Sequence, residues 1–267
     1  MGTTTNLVLG GSGTIGTALC EFLINQGEKV INLDIKEGFD LRYQSLEQHK
    51  DVDYVWFLAW EVGGAKFLSN PEFQLQIINN NTQICVNTFQ FLEKHKLPFL
   101  FVSSQLASTD NSYGITKILG ETWTKVLGGK IARLWNVYGW EGPGHKSHVI
   151  PDMIIQTLTK GSITLLTNGN EERQFIYIDD CVKNLYEFKN SAHQQVHLTN
   201  GEWVSIKEIA TKIAKLIPAK IELGKNNGYQ NKIDPNKTHL LYSYPKTMES
   251  GLGNIIEKAQ SYLKSQH

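Results

Sequence analysis

Short apolar runs and stretches of helical period alternate along the first half of the chain. Leu7-Val8-Leu9 is an unbroken apolar run closed by glycines, the pattern of a strand buried on both faces. Ile15, Leu19, Phe22 and Leu23 follow at helical spacing, and Gly27 is placed to cap that helix. Lys29 to Leu33 and Tyr54 to Leu58 read as the second and third strands. A long helical stretch, Glu72 to Lys94, precedes a strand at Phe99 to Val102. A helix then opens near Tyr113, and Lys130 to Leu134 is a further strand. Repeated strand–helix units require right-handed crossovers. They predict an α/β fold with a doubly wound parallel sheet covered on both faces.

The alternation loosens after Asn136. Gly139, Gly142, Pro143 and Gly144 mark a loop, and Pro151 opens a helix running to Lys160. Ile176-Tyr177-Ile178 and a helix from Asp179 are expected to return to the sheet. Beyond His197 come a helix at Ile206 to Ile217 and a Lys/Asn-rich loop at 225–237. Two interleaved lobes result: a nucleotide-binding domain of 1–136, rejoined by 174–190, and a smaller, mainly C-terminal substrate lobe of 137–173 and 191–267.

Composition narrows the partners. The 267 residues are 40% hydrophobic, enough for a packed core. Lys+Arg and Asp+Glu both total 26, so no basic excess points to nucleic acid or an anionic membrane. An anionic ligand must therefore be held by local groups. No signal-peptide pattern or apolar run of bilayer length is present, and Cys20, Cys85 and Cys181 are scattered in apolar segments. They suggest neither a metal site nor a disulfide framework, and a cytoplasmic location is expected.

Candidate chemistry begins at the first turn. Gly10, Gly13 and Gly16 lie in GGSGTIG between the first strand and first helix. Glycine there allows a tight turn and lets backbone N–H groups and the positive helix end approach a pyrophosphate. With Thr14 and Ile15 they form a coenzyme cradle of Rossmann-like type. Asp34 ends the second strand, where a carboxylate accepts from ribose hydroxyls and repels a 2′-phosphate. That selects NAD over NADP. Tyr113 and Lys117 stand four apart in SYGITK and share one helix face. A nearby ammonium favours tyrosinate, suiting the phenol to move a hydroxyl proton while hydride passes to or from nicotinamide.

Together, GGSGTIG, Asp34, FVSS and the YxxxK helix resemble the extended short-chain dehydrogenase/reductase family. The resemblance covers nearly the whole chain. Asp40-Leu41 matches the family's adenine-contacting pair, and Phe57-Leu58-Ala59 resembles its coenzyme-lining segment. Gly120-Glu121, RLWNVYG and SIKEIATKIAKLI are further family marks. NGNEERQFIYIDD resembles the segment that brings an Arg, here Arg173, to the nucleotide diphosphate. The resemblance implies bound NAD and a nucleoside-diphosphate sugar as substrate, in the manner of nucleotide-sugar epimerases, dehydratases and reductases. A homodimer is expected on the same ground.

LAWEVGG and SHVIP locally resemble GDP-fucose synthases, which makes His148 a candidate acid or hydrogen-bond donor to the sugar. Two features depart from the family pattern. Matching from its Tyr-Gly places the catalytic hydroxyl at Ser103, with Ser104 as the alternative. Only ten residues separate Ser103 from Tyr113, a shorter loop than the family's. Gln105 stands where GDP-fucose synthases carry a cysteine and near where 4,6-dehydratases carry an acid, and an amide has no useful proton affinity. This argues against water elimination and enol epimerisation and leaves hydride chemistry at a sugar carbinol, C4 being expected. Ser104, Gln105, Asn136 and Arg173 are the expected substrate contacts. Epimerase, dehydrogenase and reductase remain open, as do an NADP-dependent 4-keto-sugar reductase and a non-catalytic dinucleotide-binding regulator.

Overall fold

The computed structural model describes residues 3–108, 110–143, 148–229 and 246–266. Gly144 of the expected loop and residues 230–237 of the Lys/Asn-rich segment lie outside the described residues. Strands β1 (Thr5–Leu9), β2 (Lys29–Leu33), β3 (Tyr54–Phe57), β4 (Phe99–Ser104) and β5 (Lys130–Leu134) form where the apolar runs predict them. Helices α1 (Thr14–Asn25), α2 (Ala65–Leu68), α3 (Gln74–His95) and α4 (Ser112–Val126) connect them. Gly27 adopts the left-handed φ of +78° just past α1, as a helix stop requires.

The second half contributes β6 (Asn136–Tyr138), α5 (Val149–Lys160), β7 (Ser162–Thr164) and β8 (Glu172–Tyr177). It continues through α6 (Ile178–Asn190), β9 (Gln195–Leu198), β10 (Trp203–Ser205), α7 (Ile206–Leu216), β11 (Lys220–Glu222) and α8 (Met248–Lys264). The central sheet runs β2-β1-β3-β4-β5-β9, parallel throughout. Strand order reverses between β1 and β3, the switch point outside which open α/β sheets bind ligands.

Side chains alternate between two apolar layers. Val8, Trp56, Leu100 and Ala132 pack with α1 and α6, whereas Leu7, Phe57, Phe101 and Phe89 pack on the α3–α4 side. A third cluster joins α5, α7 and α8 beneath the small sheet β10-β8-β6.

Two assignments of the lobes need correction. Residues 174–177 do not pair with the central sheet: β8 pairs with β6 and β10, while Ile176 and α6 pack against the sheet's face. Conversely, β9 lies within 191–267 yet forms the central sheet's edge beside β5. Its Gln-Val-His-Leu alternation is that of an edge strand with one buried face, Val196 and Leu198, and too short to stand out in the sequence.

Candidate active site

At the coenzyme end, α1 starts without a side-chain cap and without an acidic residue in its first turn. Its N-terminal N–H groups and dipole are thus free for an anion. Gly10 has φ +88°, and a Cβ there would sit 2.6 Å from Ala59 N; at Gly16 it would sit 2.1 Å from Gly10 O. The glycine turn, the first residues of α1 (exposed Thr14 and half-buried Ile15) and the Leu58-Ala59 segment therefore line one groove. Leu58 and Ala59 both donate their backbone N–H to Leu9 O. Such a cradle fits the pyrophosphate of a dinucleotide.

Asp34 is buried, and it both binds the glycine turn and caps the next one. Its Oδ2 accepts Ser12 N–H at 3.0 Å and its Oδ1 accepts Lys36 N–H at 2.9 Å. A carboxylate with two oxygens keeps capacity for ribose hydroxyls beyond these two bonds. Lys36 Nζ turns away to Ser12 O at 2.9 Å. Asp40 is gripped by the Arg42 guanidinium, which holds its carboxyl below the usual range. Arg42 also donates to Asn80, and Leu41 is buried beside them.

At the chemical end, α4 clasps the last three residues of β4. Lys117 Nζ donates to Val102 O at 2.7 Å, and Ser103 Oγ donates to Glu121 Oε1 at 2.6 Å. Ser104 acts on the Tyr113 phenol as a hydrogen-bond partner, pulling its pKa down against the larger upward push of burial. The net result is a phenol pushed up to about 12 and a Lys117 ammonium brought down to about 7, both chiefly by desolvation. Tyr113, Lys117 and Glu121 recur every fourth residue, so one helix stripe reaches all three rungs.

Of the two candidate hydroxyls, Ser104 is the one hydrogen-bonded to the Tyr113 phenol, whereas Ser103 is turned to Glu121. Ser103 is in phase with Phe101, so it points into the α4 layer, where Glu121 and Arg133 enclose it. Ser103 and Ser104, one residue apart on the strand, present opposite faces.

The remaining expected residues divide. Gln105 follows at the strand end, its N–H on Leu134 O. Asn136 donates its amide to Gln174 O at 2.8 Å, and Arg173 donates to the carbonyls of Glu172 and Tyr229. Both thus have structural partners. His148 caps the start of α5 in position only; its Nδ1 lies 2.9 Å from Glu141, whose carboxylate raises the imidazole's pKa.

Three contributors went unread in the sequence. Trp60 lays its ring against Lys117, with Nζ 4.2 Å from the ring centroid. Asn81, fully buried, accepts Glu61 N–H at 2.6 Å and donates to Thr116 Oγ1, which in turn bonds Tyr113 O. Arg133 completes the Glu121 pair. Asn81 was readable: it interrupts the apolar stripe of Ile77, Cys85 and Phe89, and a polar residue on a core stripe requires a purpose.

Comparison with known proteins follows the same lines. UDP-glucuronic acid decarboxylase 1 of Danio rerio is 22% identical over 315 aligned positions, spanning 97% of this chain and 73% of the relative. UDP-glucuronic acid 4-epimerase from Bacillus cereus, solved with UDP-glucuronic acid and NAD, superposes with a TM-score of 0.83. Its identity is 22%, covering 97% of this chain and all of that one. An NAD-dependent NDP-hexosamine 5,6-dehydratase of tunicamycin biosynthesis superposes at 0.85 with 18% identity, covering 97% and 98%. These likenesses establish the Rossmann-like fold. The sequence profile of the NAD dependent epimerase/dehydratase family matches residues 6–197, and the chain belongs to that family.

Proposed function

We propose that the protein is an NAD-dependent epimerase/oxidoreductase that works at a carbinol carbon, C4, of a nucleoside-diphosphate sugar. The observation that carries this reading is the clasp of α4 on β4. It sets Tyr113 beside Ser104 with Lys117 one turn away, next to a glycine cradle that accepts a dinucleotide. Gly10, Gly13, Gly16, Thr14 and Ile15 would hold the pyrophosphate, Asp34 the adenosine ribose, and Asp40 with Leu41 the adenine. Bound NAD supplies the hydride acceptor.

Tyr113 takes the proton of the sugar hydroxyl, and Ser104 steadies the phenolate oxygen by hydrogen bonding. The Ser104 hydrogen bond opposes the burial that raises the phenol, and the Lys117 ammonium and the positive nicotinamide of bound NAD would favour the phenolate further. Return of the proton by Tyr113 completes either an epimerisation or a reduction, so the same groups serve both outcomes. Gln105 offers no base for removing a proton from carbon, which favours simple carbinol chemistry. Relatives named as a 4-epimerase and a decarboxylase act on UDP-sugars, supporting a nucleotide sugar here. Arg173 is assigned to the diphosphate, and it must exchange a backbone carbonyl for phosphate to bind it.

A cytoplasmic homodimer completes the proposal. It is supported by three unpaired cysteines and by apolar Leu75, Ile115 and Val126, which remain exposed on α3 and α4.

The test is identification of coenzyme released on denaturation, followed by turnover of UDP- and GDP-sugars. Tyr113→Phe should retain NAD and lose about a hundredfold or more in kcat. Substantial turnover by that variant would refute the acid/base assignment.

A further inference from the structure

Lys117 is buried without a carboxylate of its own. Its Nζ has one backbone acceptor, Val102 O, and otherwise faces rings: Trp60 at 4.2 Å, Phe101 at 4.9 Å and Tyr113 at 5.8 Å, each measured to the centroid. An ammonium has three donors, so two of them meet aromatic faces.

The titratable groups around it are few. α4 contributes Tyr113 and Glu121, the latter engaged by Arg133 and Ser103. α3 contributes Cys85, a thiol pushed up to about 12 by burial and hence neutral. β4 offers only its carbonyl. Glu61, next to Trp60, accepts from Asn80 through Oε2.

Trp60 itself is anomalous. Its indole Nε1 is buried with no hydrogen-bond partner among the described residues. The indole is therefore not held there by its donor. Phenylalanine would fill the place against Phe57 and Phe101 without stranding an N–H group. What tryptophan adds is the strongest ring quadrupole available to a cation.

We propose that Trp60 is a positioning residue for the reaction, whose indole face keeps the Lys117 ammonium charged and directed at the Tyr113 side of the site, in place of a carboxylate. The inference rests on the proposed function of Tyr113 and Lys117. Burial brings Lys117 to about 7, so near neutral pH a ring contact of ordinary strength decides its charge state.

Protein labelled with 13C-lysine allows the Lys117 Cε resonance, assigned by its loss in Lys117→Met, to be titrated directly. Trp60→Leu should lower the midpoint by about one pH unit, and Trp60→Phe by less. The basic limb of the kcat profile should move down in step, because Tyr113 works beside charged Lys117. An unchanged or raised midpoint in either variant overturns the proposal, and so does a lowered midpoint with an unmoved kcat profile. If Trp60→Leu fails to fold, Trp60→Phe carries the test. A wild-type protein inert toward nucleotide sugars would refute the proposed function separately, since the titration reads the charge of Lys117 without turnover.

Discussion

Ser103 donates its hydroxyl to Glu121 at 2.6 Å, so it has no proton to offer the sugar, while its neighbour Ser104 acts on Tyr113. The two serines should therefore separate on mutation. Ser104→Ala is expected to lower kcat by about ten- to a hundredfold, the worth of a hydrogen bond to a charged group, with a small loss of Tm from the Leu106 N–H that Ser104 Oγ accepts. Ser103→Ala should retain near wild-type kcat and instead lose about 1–3 kcal/mol of stability, because buried Glu121 loses a donor. Steady-state kinetics and urea unfolding of both variants decide the assignment.

Glu121 is almost wholly buried, and burial pushes its carboxyl up. The Arg133 guanidinium and the Ser103 hydroxyl outweigh that and bring it below the ordinary value. Removing Arg133 as Arg133→Met leaves a buried charge unmatched and should cost about 3 kcal/mol at pH 7. A depressed carboxylate contributes stability above its unfolded pKa, and that contribution is lost as pH falls through the folded value. The deficit of the variant should accordingly shrink in acid, as measured by urea unfolding at pH 7 and below pH 4.5.

Lys117 has the opposite sign. Its folded pKa of about 7 lies below the ordinary 10.5, so the unfolded chain binds the extra proton between those values and stability rises with pH across that window. Lys117→Met should lose activity yet melt higher than wild type at pH 7. The gain should be full below that pH and fade toward 10.5. Thermal melts at several pH values test this, and a variant that melts lower at neutral pH would show that the Val102 O contact outweighs desolvation.

β1, β3 and β4 were legible because they are buried on both faces and read as apolar runs, while β2 and β5 kept their expected bounds, Lys29–Leu33 and Lys130–Leu134, despite polar residues within them. β9 escaped because an edge strand of four residues with alternating polarity resembles a loop. At the site, residue types were legible and their facing was not. YxxxK fixes its own geometry through the helical period, whereas the choice between Ser103 and Ser104 depends on strand phase across a loop of unfamiliar length. Trp60 and Arg133 act through contacts distant in sequence, with Lys117 and Glu121, which no local pattern announces.

The three glycines of the first turn are not equivalent. Gly10→Ala and Gly16→Ala place a Cβ on backbone and should destabilise the fold, Gly10 also through its φ of +88°. A Cβ on Gly13 would meet only Gly10 O, at 3.4 Å, and its φ of −75° suits any residue. Gly13→Ala is thus expected to fold with near wild-type Tm while losing NAD affinity, because the added methyl occupies the approach to the helix end. Calorimetric titration with NAD beside a thermal melt separates the two effects.

The Glu141–His148 pair bears on whether a second acid serves the sugar. Glu141 raises the imidazole's pKa by hydrogen bonding, and its removal in Glu141→Gln should bring His148 down toward or below the ordinary 6.5. If charged His148 donates to the sugar, the basic limb of kcat falls to lower pH in Glu141→Gln and is lost in His148→Asn. Histidine NMR titration reports the pKa directly. A titration that moves while kcat does not would confine His148 to the start of α5, where its backbone N–H is already bound to the same Glu141 carboxylate.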